Sequence, residues 1–144
     1  MKRHIATFLL AALTASTGCA SVPKNLDLSM KHASRHQVFI VELEPPATPA
    51  AINQLHSWRI RLTSPGGTPV THAQIAVDGG MPQHGHGFPT QPRVTRELGD
   101  GAYLLDGMKF SMTGWWDIRL AIDAGGTQDT ATFNTIVGDS PTPH

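Results

Sequence analysis

Residues 116–123 read Trp-Asp-Ile-Arg-Leu-Ala-Ile-Asp, a strict alternation of apolar and polar or small side chains. In an extended chain, residues two apart point to the same side. Trp116, Ile118, Leu120 and Ile122 therefore enter a core, while Asp117, Arg119, Ala121 and Asp123 meet solvent. A helix would scatter these two sets around its axis, so the stretch is a half-buried strand. Gly125-Gly126 then turns the chain into Thr127 to Val137, where Ala131, Phe133 and Thr135 share a face.

The same period recurs upstream. His36 to Glu44 groups Phe39, Val41 and Leu43 before Pro45-Pro46 stops the run. Ser57 to Thr63 turns Trp58, Ile60 and Leu62 inward and Arg59 and Arg61 outward, and Val70 to Asp78 puts Ile75 and Val77 inside. Arg93 to Leu98 and Ala102 to Asp106 flank Gly99-Asp100-Gly101, a hairpin signal because Asp-Gly accepts the positive φ of a tight turn. About seven short strands without a helix predict an all-β, immunoglobulin-like antiparallel β-sandwich, with a small barrel as the alternative.

The N-terminus has a different character. Lys2 and Arg3 precede the apolar run Ile5 to Leu13, and small residues follow up to Cys19. This order of charge, short apolar core and small-residue exit reads as an export signal over residues 1–19. The run is far short of the roughly 18 residues of a spanning helix. Cys19 is the single cysteine and cannot form an internal disulfide. Ser16-Thr17-Gly18-Cys19 resembles a bacterial lipobox, with Ser16 where Leu is usual, which makes Cys19 the candidate lipidated residue. Ordinary cleavage after Ala20 is the alternative and would discard it. Residues 20–34 read as a tether and 35–140 as the domain. The expectation is an exported, periplasmic protein that meets the membrane only through a lipid anchor.

Lys and Arg together number 11, as do Asp and Glu. Removing Lys2 and Arg3 with the signal leaves a slightly acidic chain, without the basic patch that nucleic acid would need.

The chemistry concentrates in Gly79 to Pro92, GGMPQHGHGFPTQP. In extended chain, His84 and His86 would present two imidazoles to one ion, with Gly85 leaving room for close approach. Imidazole suits copper, zinc and nickel, and a thioether shifts the preference toward copper, above all Cu(I). Met81 lies in the same loop, and Met112 lies in a second loop ahead of Gly114-Trp115-Trp116. Sandwich loops gather at two ends, so the two loops have an even chance of sharing one. The pair His84/His86 also reads as a solvated turn, and Met108 and Met112 as gap-filling core residues. His32, His36, His56 and His72 fall on separate segments and read as surface residues. An enzyme is not supported: there is no Gly-x-Ser-x-Gly elbow and no thiol nucleophile in the domain. Asp78, Asp100, Asp106 and Asp117 fall mostly at turns or strand ends, where Asp serves the backbone. A catalytic zinc would want three protein ligands and an open position.

Taken in order, Met81-Pro82-Gln83-His84-Gly85-His86-Gly87, Thr90-Gln91-Pro92, Gly99-Asp100-Gly101-Ala102-Tyr103 and Met112-Thr113-Gly114-Trp115-Trp116 resemble the YtkA-like/FixH-like group of small exported domains, over residues 55–137. The resemblance implies an immunoglobulin-like sandwich outside the cytoplasmic membrane that handles copper or assists haem–copper oxidase assembly. It implies a site of His84, His86 and Met112, with Met81 supplementary and a copper ion as cargo. The implied partner is an envelope metal-transport or oxidase-assembly protein. Some relatives carry Met-Pro-Gly where this chain has Met112-Thr113-Gly114, and the expected absence of the FixH-type transmembrane helix weighs against oxidase assembly. A second reading is a metal-free docking module on an envelope complex, with Phe88 and Trp115 as anchors.

Overall fold

A computed structural model describes residues 22–49 and 51–138. The stretch read as an export signal, with Cys19, lies outside the described residues. Among the described residues nine strands form: β1 Lys31–Ala33, β2 Ile40–Glu44, β3 His56–Thr63, β4 Gln74–Met81, β5 His86–Gly87, β6 Arg93–Gly99, β7 Ala102–Met108, β8 Gly114–Ala124 and β9 Thr127–Val137. They build a five-stranded sheet, β1-β2-β3-β7-β6, and a four-stranded sheet, β5-β4-β8-β9, with every pairing antiparallel. The protein is an all-β sandwich, as the alternation predicts.

The predicted inward faces meet between the sheets. Val41, Leu43, Trp58, Ile60 and Leu62 from one sheet pack on Ile118, Leu120, Ile122, Ala131 and Phe133 from the other, all buried. Each large side chain withdrawn from water contributes about 1.5–3 kcal/mol, so these two faces dominate the drive to fold. Two hairpins follow the turn chemistry. Gly99 pairs with Ala102 across Asp100 (φ 50°) and Gly101 (φ 72°), and Ala124 pairs with Thr127 across Gly125 (φ 62°) and Gly126 (φ 87°). Positive φ at both central residues is the condition for the type I′ turn that matches strand twist. Between the sheets, the Tyr103 hydroxyl donates to the Val70 carbonyl at 2.7 Å and accepts the Ala73 N–H at 3.1 Å. Burial raises the pKa of this phenol above its ordinary value, so it stays a donor.

Two strands exceed the sequence count, and neither carries a local signal. β1 arises inside the stretch read as a tether, and β5 inside the stretch read as a loop. Each is defined by the strand beside it: Lys31 to Ala33 pair with Glu42 to Ile40, and His86-Gly87 with Met81 and Gly80. Val77 is only partly buried, while β4 continues through Gly79, Gly80 and Met81, all buried. The glycines allow this continuation. A Cβ on Gly80 would overlap the His86 carbonyl oxygen, and one on Gly79 would overlap the Asp117 carbonyl oxygen and the Phe88 ring.

The N-terminal segment also straps the free edge of β9. Asn134 donates its side-chain amide to the Asp27 carbonyl at 3.0 Å, and Arg35 N–H reaches the Thr130 carbonyl at 2.8 Å. Between them, the His32 ring stacks on Phe133 at 4.3 Å and sets Nε2 3.1 Å from the Thr132 carbonyl.

Candidate metal centre

The His84/His86 segment is the tip of the β4–β5 hairpin. Pro82 to Gly85 form the turn, closed by N–H groups of His84 and Gly85 on the Met81 carbonyl at 3.0 Å, with Gly85 left-handed at φ 64°. The two imidazoles do lie together, stacked with centroids 5.9 Å apart, and both residues are exposed. The cause differs from the expected extended i, i+2 geometry: a turn at Gly85 brings the rings together.

Met81 is not a loop residue. It ends β4, is 1 % exposed and stands directly opposite His86 in register. Directly opposed residues of an antiparallel pair project to one face, with Cβ atoms about 4.5–5.5 Å apart. Met81 and His86 therefore share the inner side of the sheet at the open end of the sandwich. His86 Nδ1 lies 3.1 Å from the Gly87 carbonyl. A carbonyl only accepts, so Nδ1 donates in this contact, and in the neutral ring it is Nε2 that carries the lone pair able to bind a metal. Gly114 faces the same spot: a Cβ there would come 3.0 Å from the Met81 methyl carbon.

Trp116 joins the two loops. Its fully buried ring meets His86 at 5.9 Å and 69°, and its indole N–H donates to the Met112 carbonyl at 3.0 Å. Phe88 stacks on the same ring at 5.7 Å and 8°, and Phe110 packs against it at 5.2 Å. Met112 itself is 40 % exposed at the rim, while Met108 is fully buried core. The two loops thus occupy the same end. A groove of about 300 Å³ beside the hairpin is bordered by Met81, Gly85, His86, Asp117 and Arg119.

The donor set is specific. Among the described residues no three His, Cys, Asp or Glu side chains converge on one point. An ion held here would meet imidazole nitrogen and thioether sulfur rather than carboxylate oxygen.

Three features escaped the sequence reading. His56 is not a surface residue. It sits half-buried with inward-facing Trp58, its Nδ1 accepts the Trp58 indole N–H at 2.8 Å, and its Nε2 is enclosed without a partner. With Nδ1 occupied as an acceptor, Nε2 holds the proton, so His56 is no ligand in this arrangement. Burial lowers its pKa below the ordinary imidazole value. His36 is exposed, but its Nδ1 is 2.9 Å from Asp129 Oδ1. Asp129 is buried and also accepts the Ser34 hydroxyl at 2.6 Å, the His36 N–H at 2.9 Å and the Thr130 N–H at 2.8 Å. Burial alone would raise its pKa, yet these bonds hold the carboxyl far below the usual range. One signal was available: His56 and Asp129 both stand at inward positions of alternating strands, where a polar residue needs a partner. The aspartates divide similarly, since Asp100 is a turn residue but Asp106 accepts the Ser57 and Thr95 hydroxyls and Asp117 accepts the Gly80 N–H at 2.8 Å.

These features define a small β-sandwich with a histidine–methionine hairpin at one end. The family model described as YtkA-like matches residues 33–121, and the chain belongs to the YtkA-like family. The domain of that family is small and non-catalytic. A search of curated proteins finds no match.

Proposed function

We propose that this chain is an exported, periplasmic accessory protein, lipid-anchored through Cys19, that binds a copper ion for storage or for transfer to an envelope metal-transport or oxidase-assembly partner. The observation that carries the reading is the Met81–His86 register pair, with His84 stacked beside it and Met112 tied to the same end through Trp116. His84 and His86 supply nitrogen. Met81 supplies the nearer sulfur by register, and Met112 a second from the rim. A buried thioether favours an ion that sheds water readily and accepts few ligands, which is the habit of Cu(I). Titration of the Cys19→Ser chain with Cu(I) against a competing chelator tests it, the substitution removing the thiol as a rival ligand. His84→Ala/His86→Ala is expected to lower affinity by roughly a hundredfold with an unchanged melting midpoint. Equal affinity in both proteins refutes the reading.

A metal-free docking module draws support from a different observation. Trp115 is half-buried on the outer face, opposite Ile136 in register, and Ile136 is 49 % exposed. Phe88 is committed to stacking on Trp116, so Ile136 replaces it as the companion of Trp115 in that reading. A partner retained equally by metal-free protein and by His84→Ala/His86→Ala, and lost with Trp115→Ala, would favour docking.

A further inference from the structure

Trp116 touches both halves of the proposed centre. It lies inside β8, one residue beyond the Met112-Thr113-Gly114-Trp115 approach, and none of its surface is exposed. Its indole N–H fixes the Met112 main chain, which sets where the exposed Met112 side chain starts. The same ring packs against His86, and Phe88 and Phe110 pack against it as well. Because the ring is fully enclosed, a shift on one side is transmitted to the other instead of being absorbed by solvent.

We propose that Trp116 is a positioning residue for this centre, one that couples the Met112 loop to the His86 hairpin, and that its indole borders the bound ion closely enough to report loading. This inference rests on the copper reading above and adds to it the claim that sulfur from Met112 is delivered by a hydrogen bond. Trp116→Phe keeps an aromatic wall for His86 but removes the only N–H reaching the Met112 carbonyl from that ring. An unanchored Met112 would then lose its directed approach while His84, His86 and Met81 stay in register.

The test uses the Cys19→Ser chain with Cu(I) under anaerobic ascorbate. Trp116→Phe is expected to lower Cu(I) affinity about tenfold. X-ray absorption of the loaded variant is expected to show one Cu–S neighbour fewer and the same number of Cu–N neighbours. A merely structural role would not single out sulfur in this way. Indole emission gives a second measurement that leaves Trp116 intact. Quenching by Cu(I) is expected in the wild type, Trp58→Phe and Trp115→Phe proteins alike, which holds even if Trp116→Phe fails to fold. Wild-type affinity with an unchanged Cu–S number in Trp116→Phe overturns the proposal, as does Cu(I) binding without quenching in the Trp58→Phe and Trp115→Phe proteins. If the parent chain binds no Cu(I), the copper reading falls and this inference falls with it. Binding that is indifferent to Trp116 overturns this inference alone.

Discussion

The two ends of the four-stranded sheet treat their polar groups in opposite ways. At one end, Asp129 is enclosed and its oxygens are met by Ser34, His36 and Thr130, so nothing is left over for a ligand. A cavity of about 640 Å³ opens there, lined by Arg35, His36, Gln74, Asp123 and Asp129 among others, and it is larger than the groove beside His86. At the other end, His84 and His86 stand exposed, with a ring nitrogen of His86 uncommitted and Met81 opposite it in register. Size therefore misleads here. A carboxylate that has found all its partners fastens strands together, whereas donors held in place without partners are available to an ion.

The sharpest way to break this contrast is at Asp129. Asp129→Asn keeps the shape but replaces an acceptor-only carboxylate with an amide that must turn one donor toward other donors. The melting midpoint is expected to fall by about 10 °C or more, while Cu(I) affinity per folded molecule stays unchanged. A variant that melts normally would mean that the Asp129 cluster is not the fastening. At the opposite end, Gly80→Ala forces a methyl against the His86 carbonyl oxygen. It is expected to cost roughly 1–3 kcal/mol in urea unfolding and, unlike the Asp129 change, to weaken Cu(I) binding by displacing β5.

pH acts more gently than these substitutions. His56 is held neutral by burial, so its folded pKa lies below the unfolded value near 6.5. The unfolded chain then binds more protons in that interval, and stability is full above about pH 6.5 and declines as pH falls through it. His56→Gln is expected to flatten that part of the stability–pH curve. A slope that survives the substitution would assign it to another group. Asp129 acts in the same direction at still lower pH, since its depressed carboxyl must be protonated against its hydrogen bonds. The smallest effect is expected on the outer face, where Arg119 meets Asp78 at 3.0 Å with both side chains exposed. Arg119→Ala should change unfolding free energy by less than about 1 kcal/mol.

How much of this was legible depends on whether the cause was local. The alternation at Trp58-Ile60-Leu62 and at Trp116-Ile118-Leu120-Ile122 is set by each strand's own residues, and the inward faces formed as read. The Asp100-Gly101 and Gly125-Gly126 turns are likewise fixed by their own backbone freedom. β1 and β5 exist only because β2 and β4 offer them hydrogen bonds, which no window of sequence contains. The site divides in the same manner. His84 and His86 announce themselves by spacing, although a turn and not an extended chain brings them together. Their relation to Met81 is a matter of register, and their relation to Met112 runs through the Trp116 ring. Asp129 and His56 could have been suspected from parity alone, had every polar residue at an inward position been asked for its partner.

The strap across β9 has a consequence for life in a crowded compartment. An unpaired strand edge is a template on which another chain can add itself, and β9, at eleven residues, ties with β8 as the longest strand in the sandwich. Each edge strand among the described residues is blunted. β1 and β5 are only three and two residues long, β6 carries Arg93 and Arg96 and breaks register twice, and β9 has Thr130, Thr132 and Asn134 occupied by the chain's own N-terminal segment. That segment thus guards against self-association. Shortening it to just before β2 would convert the sandwich's longest open border into an adhesive one.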